Sequence, residues 1–141
     1  MATEKTWTIL HIVFPLLPFV GGGGIRLVMA KGRIGWGTFS AADLSICLVL
    51  LGLLVHQSLL RQERLLESYD KTAEIEAKAL VFLLQALGYL ILFGVIVVLS
   101  CVDARYSTQL HAFETIAFIT SLYTLKDCLA TQRSFKLKAS L

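Results

Sequence analysis

Arg26, Asp43, His111 and Glu114 lie within or beside long apolar stretches, where an uncompensated charge costs roughly 2.5 to 3.5 kcal/mol on insertion scales. Groups of these types can neutralise one another, relay a proton or hold an ion, and each calls for a partner or a water route. The positions predict that Arg26 pairs with Glu114 or Asp43 across a helix bundle. Together with His111 they would form a polar layer near one face of a membrane. His111 and Glu114 are three residues apart and so share a helical face. A single H-x-x-E without further ligands points to an interfacial hydrogen-bonded pair rather than a metal site.

Other chemistry has little support. The chain has no phosphate-cradling glycine loop, H-E-x-x-H or nucleophile elbow, and no soluble segment large enough for a separate active site, so neither catalysis nor a cofactor is expected. Cys47, Cys101 and Cys128 fall at different expected depths, which excludes a disulfide between any two and leaves them as small packing residues.

The elements that must position the polar layer are long apolar helices. Between Lys78 and Asp103 the chain runs 24 residues, Ala79 to Val102, without a formal charge. At about 1.5 Å per residue that crosses a hydrocarbon core of roughly 30 Å. A composition of 56% hydrophobic and 16% charged residues excludes a soluble domain of 141 residues. Stretches between Lys5 and Arg26 and between Asp43 and Arg61 supply two more spans. A fourth, from about Thr108 to Ala130, carries Glu114, Lys126 and Asp127. The expectation is an all-α integral membrane protein, a single four-span domain with spans near 7–29, 39–57, 79–101 and 108–130. The first apolar region is too long, and too interrupted by Pro15, Pro18 and Arg26, for a signal peptide, and is read as a retained span.

Lys and Arg counts set the orientation. Nine fall on the side holding the N-terminus, the central loop and the tail, and four (Arg26, Lys31, Arg33, Arg105) on the other. Both termini are therefore predicted cytoplasmic, most simply in a bacterial inner membrane. Trp7, Trp36, Tyr106 and Tyr123 fall near span ends, as headgroup-level rings do.

The first span is irregular: Pro15 and Pro18 precede Gly21, Gly22, Gly23 and Gly24. Missing donors and flexible backbone predict a kink or local unwinding, serving as a hinge or letting another helix approach closely. Ser40 and Asp43 have capping-box spacing and mark the start of the second span. Residues 58–78 form a charged, helix-compatible extension in which Glu67/Lys71 and Glu74/Lys78 are spaced to pair. Leu59, Leu66 and Ala73, flanked by Leu65 and Tyr69, form its apolar stripe, and Asp70 to Thr72 is the expected turn. Arg61, Glu63, Arg64, Glu67 and Tyr69 are the candidate surface for a soluble partner. The tail, 131–141, is basic, with Phe135 and Leu137 interleaved, and suits anionic headgroups; no direct nucleic-acid contact is expected. On the third span Gln85, Gly88, Tyr89 and Gly94 mark a packing face, where Gln85 could bond between subunits.

The Gly22-Gly23, Arg26, Gly37-Thr38 outline resembles the first half of the small four-span fluoride channels. Asp43 stands where that family brings an asparagine, and the third span lacks the family's internal break, so the assignment is rejected. As a whole, a compact four-span chain with a charged cytoplasmic hairpin is similar in outline to membrane subunits of bacterial two-gene anti-phage systems of the Kiwa type. That resemblance implies a membrane subunit that anchors or senses for a soluble cytoplasmic partner in antiviral defence; the small and polar residues on several spans offer packing faces and predict that it forms a homo-oligomer. The alternative expectation is a small homo-oligomeric ion channel or pore-forming effector gated by the Arg26, Asp43 and Glu114 layer.

Overall fold

A computed structural model describes residues 4–35, 38–65, 69–102 and 104–137, the side chains of 63–65, 69–71 and 104 excepted. Among the described residues the chain is helical and has no strand. It forms α1 (Glu4–Thr8), a π-helical turn (Ile9–Val13), α2 (Phe14–Met29), α3 (Ala41–Leu65), α4 (Tyr69–Cys101), a 3-10 turn (Ala104–Tyr106) and α5 (Ser107–Phe135). Three helical stretches, Glu4–Met29, Ala41–Gln62 and Thr72–Cys101, are long and apolar enough to cross a membrane. The α5 helix is long as well, but threonines, serines and charged residues dilute its apolar content.

The α3 helix lies at the centre. Half of its most apolar window is buried inside the protein, against 17% for α1–α2 and 22% for α4. Leu44, Leu48, Leu51, Val55 and Leu59 recur every three or four residues along α3 and are buried, as are Ile75, Ala79, Phe82, Ala86 and Tyr89 along α4. Two such stripes interlock as antiparallel helices. Gly52 stands where they come closest, since a Cβ there would lie 3.0 Å from the Ala86 Cβ and 3.1 Å from the Phe82 carbonyl oxygen. The α2 helix packs on α3, and α5 packs on both α3 and α4.

Local chemistry explains most element boundaries. Ser40 starts α3: its Oγ accepts from the Asp43 N–H at 3.3 Å and its carbonyl accepts from Leu44 at 3.0 Å. At the end of α2, Lys31 and Gly32 take positive φ, and the Gly32 N–H returns to the Leu27 carbonyl at 2.9 Å. The glycine run remains α-helical, contrary to the unwinding expected there. The irregular backbone lies more than two turns earlier, where the Phe14 N–H donates to Ile9 in the π turn. Pro15 has no N–H to offer the preceding carbonyls, and a wider turn accommodates that gap.

Several other expectations change. Asp70 to Thr72 lie inside α4, because α3 ends at Leu65 and α4 begins at Tyr69. Ala73 is exposed, and Ile75 takes the buried position beside Leu59. The first residues of the tail continue α5, and Leu137 folds back into the same core cluster as Leu59 and Ile75, so it does not face headgroups. Lys136 in the left-handed region makes this reversal, with the Leu137 N–H on the Gln132 carbonyl at 3.1 Å. Trp7, near the start of the first apolar helical stretch, is fully buried within the protein: it stacks on His11 at 4.6 Å and donates to Ser58 Oγ at 2.7 Å. Tyr106 and Tyr123 remain exposed, and Trp36 lies outside the described residues.

Candidate functional site

The end of the bundle where α2 stops and α3 begins carries the polar layer. Arg26 sits in the last turns of α2, and Asp43 in the first turn of α3, where the Ser40 cap fixes its position. Arg26 Nη2 donates to Asp43 Oδ2 at 3.0 Å, so of the two expected carboxylates Asp43 is the direct partner. Both side chains are about two-fifths exposed, which keeps solvent screening in play. Gly22 leaves room for the pair: a Cβ there would lie 3.6 Å from Asp43 Oδ2 and 3.9 Å from Arg26 Nη1.

Glu114 approaches from α5. Its carboxylate is 13% exposed, with Oε1 3.6 Å from His111 Nδ1 in the expected one-face arrangement, an ion pair only when the imidazole is protonated. Arg26 and Glu114 both line a cavity of about 300 Å³, together with Ser40, Ser100 and Leu110. The layer is thus a small chamber, with room for several waters, whose lining includes an arginine held by Asp43 and a glutamate whose side chain is 13% exposed. Such a chamber can hydrate a charge or bind a small polar group. Among the described residues no group of three or more His, Cys, Asp or Glu converges as a metal site would require.

Of the helix-break residues, Gly23 has a defined task. A Cβ at Gly23 would overlap the Phe39 ring, so this glycine admits the loop before α3. Gly21 and Gly24 have nothing within 4 Å of such an atom, Pro15 is buried in the α2 packing, and Pro18 lies inside the helix. Phe39 in turn lies 5.6 Å from Phe19, which lies 6.2 Å from Phe118 of α5. These rings surround a cavity of about 690 Å³ that Ile34 and Gly35 also line.

A second group of polar contacts, at the opposite end, is not evident from spacing. Lys78 Nζ meets Asp127 Oδ1 at 2.7 Å, bridging α4 to α5, where the sequence predicts a Glu74 partner within the helix. His56 Nδ1 lies 2.7 Å from the Ala79 carbonyl and joins α3 to α4 at the same level. The one signal in the sequence is that Lys126 and Asp127 interrupt an apolar stretch. Between the two ends, Tyr89 and Thr124 share a hydrogen bond of 2.6 Å in a groove of about 660 Å³, and Gln85 Oε1 is buried there without a hydrogen-bond partner among the described residues. A Cβ placed at Gly88 or Gly94 would meet no neighbour within 4 Å, so neither glycine packs against another helix among the described residues.

Of the expected partner surface, Arg61 is exposed at the end of α3. The side chains of Glu63, Arg64, Glu67 and Tyr69 lie outside the described residues. The three cysteines are free, with Cys47 and Cys128 buried and Cys101 exposed. Comparisons with protein-family models, with curated proteins and with solved structures find no match to this chain.

Proposed function

We propose that this chain is a non-enzymatic subunit of a bacterial inner membrane that anchors or senses for a soluble cytoplasmic partner, in a setting such as phage defence. One observation carries the reading. The 33 residues of α4 are continuous helix, about 50 Å at 1.5 Å per residue, against a hydrocarbon core of roughly 30 Å. Its charged first turns therefore project beyond the bilayer as the rigid continuation of a membrane span. There Leu59, Ile75, Cys128 and Leu137 join one packed cluster, and Lys78–Asp127 ties α4 to α5. A displacement inside the membrane would reach a cytoplasmic partner through such a platform without passing through a flexible linker.

In this reading α5 is a fourth span and both termini are cytoplasmic. The hydroxyls of Thr115 and Thr120 donate to carbonyls of their own helix, which lowers the cost of placing them in lipid, and Ser121 is buried within the protein. The partnerless Gln85 Oε1 in the α4–α5 groove supports self-association, since an amide supplies both donors and an acceptor to a second copy.

The test is recovery from gently solubilised membranes with mass determination, comparing the natural chain with an Arg61→Glu/Arg64→Glu variant. A soluble protein recovered in fixed ratio with the natural chain and lost with the variant supports the reading. A partner-free homo-oligomer that passes ions in liposomes overturns it in favour of a channel, the alternative that the Arg26 and Glu114 chamber favours.

A further inference from the structure

We infer that the end of α2 and the described residues beside it hold a phosphate-bearing lipid, its headgroup on Arg26 and Arg33 and one acyl chain among Phe19, Phe39 and Phe118. Besides the chamber it shares with Glu114, Arg26 lines a separate cavity of about 350 Å³ together with Ala30, Arg33, Ile34, Gly35 and Thr38. Two guanidiniums on one small cavity make an anion site. Asp43 takes one hydrogen bond from Arg26 and neutralises one charge, while Arg33 has no ion pair among the described residues. The remaining donors suit phosphate oxygens, which planar guanidinium groups bind through paired hydrogen bonds. Thr38 Oγ1 already accepts from the Gly35 N–H at 2.9 Å, which sets the loop wall of the cavity.

The shape of the neighbouring space selects a lipid over a free anion. Ile34 and Gly35 line this cationic cavity and also the apolar one formed by Phe19, Phe39 and Phe118, so the two adjoin. Phe19 precedes Arg26 by seven residues on α2, so the aromatic cavity reaches from Ile34 and Gly35 after the helix end to Phe19, about 10 Å deeper along the helix. A cationic pocket at the helix end that adjoins an apolar one extending toward the middle of the span has the polarity of a phospholipid in the adjacent leaflet. This inference rests on α2 being a membrane span.

Native mass spectrometry of the full chain, purified in mild detergent, tests it with three probes: phosphatidylglycerol, diacylglycerol with the same acyl chains, and glycerol 3-phosphate. Phosphatidylglycerol should be retained and should raise the melting temperature, with both lone-fragment probes much weaker. Arg33→Gln removes an exposed charge and should weaken retention about tenfold. Gly35→Leu should weaken it by blocking the junction, because a Cβ at Gly35 meets nothing within 4 Å and its φ is not positive. Both variants should melt like the natural chain without added lipid. Equal retention by the natural chain and both variants would overturn the site. So would diacylglycerol binding as well as the phospholipid, or glycerol 3-phosphate doing so. Extraction of the chain from membranes by alkaline carbonate would overturn the span reading and this inference together; a chain that stays embedded but retains no lipid would overturn this inference alone.

Discussion

The α3–α4 seam, with α5 clasped to it, and the α2 side of the bundle are built from similar residues and packed in opposite ways. Each has a glycine at a close approach and a cation paired with an aspartate. At the seam Gly52 brings two helices together, and the Lys78–Asp127 pair is about 31% exposed on both sides, with Lys78 Nζ also 5.9 Å from the Phe82 ring centre. On the α2 side Gly23 admits only a loop ring, Arg26 and Asp43 are more exposed, and Arg26 lines two cavities. The difference teaches that an ion pair's role follows from what surrounds it. One cation is enclosed by the elements it joins, whereas the other is held by its carboxylate and keeps donors facing open space.

The largest effect that could break this contrast is at Trp7, which ties the α2 side to α3 while fully buried. Trp7→Ala should cost about 3 to 4 kcal/mol, since truncating a buried aromatic leaves a cavity. Trp7→Phe should cost about 1 kcal/mol for the lost bond to Ser58. Reversible unfolding in mixed micelles measures both, and a silent Trp7→Ala would mean that α1 is not docked.

Next in size is Gly52→Leu, expected to cost about 3 kcal/mol because the Phe82 backbone and Ala86 must move apart. The matched Gly24→Leu, at a position with nothing within 4 Å, should change stability by less than about 0.5 kcal/mol. Similar losses at the two sites, read from melting temperatures, would erase the distinction between a closed seam and an open side.

Smaller again are the ion pairs. A double-mutant cycle on Lys78 and Asp127 should give a coupling of about 1 kcal/mol, and one on Arg26 and Asp43 about 0.5 kcal/mol after allowance for solvent screening. Added salt should weaken the second coupling more than the first. A cycle on Arg26 and Glu114 sharpens the comparison further. Near-additive losses are expected, since the guanidinium is bonded to Asp43 and the carboxylate is set beside His111, the two residues sharing only the lining of one cavity.

The fold was legible where it depends on local rules. Span lengths follow from runs of uncharged residues, the α3 start from a serine three residues before an aspartate, and the one-face placement of His111 and Glu114 from helical periodicity. The candidate layer was half legible: the shortage of charges in apolar stretches narrowed the partners of Arg26 to two carboxylates. Sequence spacing misled where one short-range option competed with a distant one. Lys78 had Glu74 one turn away, and its contact with Asp127 spans 49 residues. Trp7 had the composition of a headgroup ring, yet the packing of α1 on α3 encloses it.

From residue types and run lengths alone came the helical class, four expected spans of which three are helices long and apolar enough to cross a bilayer, and the need of charges in apolar stretches for partners. These depend on residue type, run length and the 3.6-residue turn, all carried by neighbouring positions. Only the tertiary structure decided which carboxylate Arg26 meets, which glycine bears a close approach, and that a cationic cavity adjoins an aromatic one. Those outcomes depend on how each helix is rotated about its axis and how far it slides along its neighbour. That is fixed by the summed packing of residues far apart in the chain, which no local spacing contains.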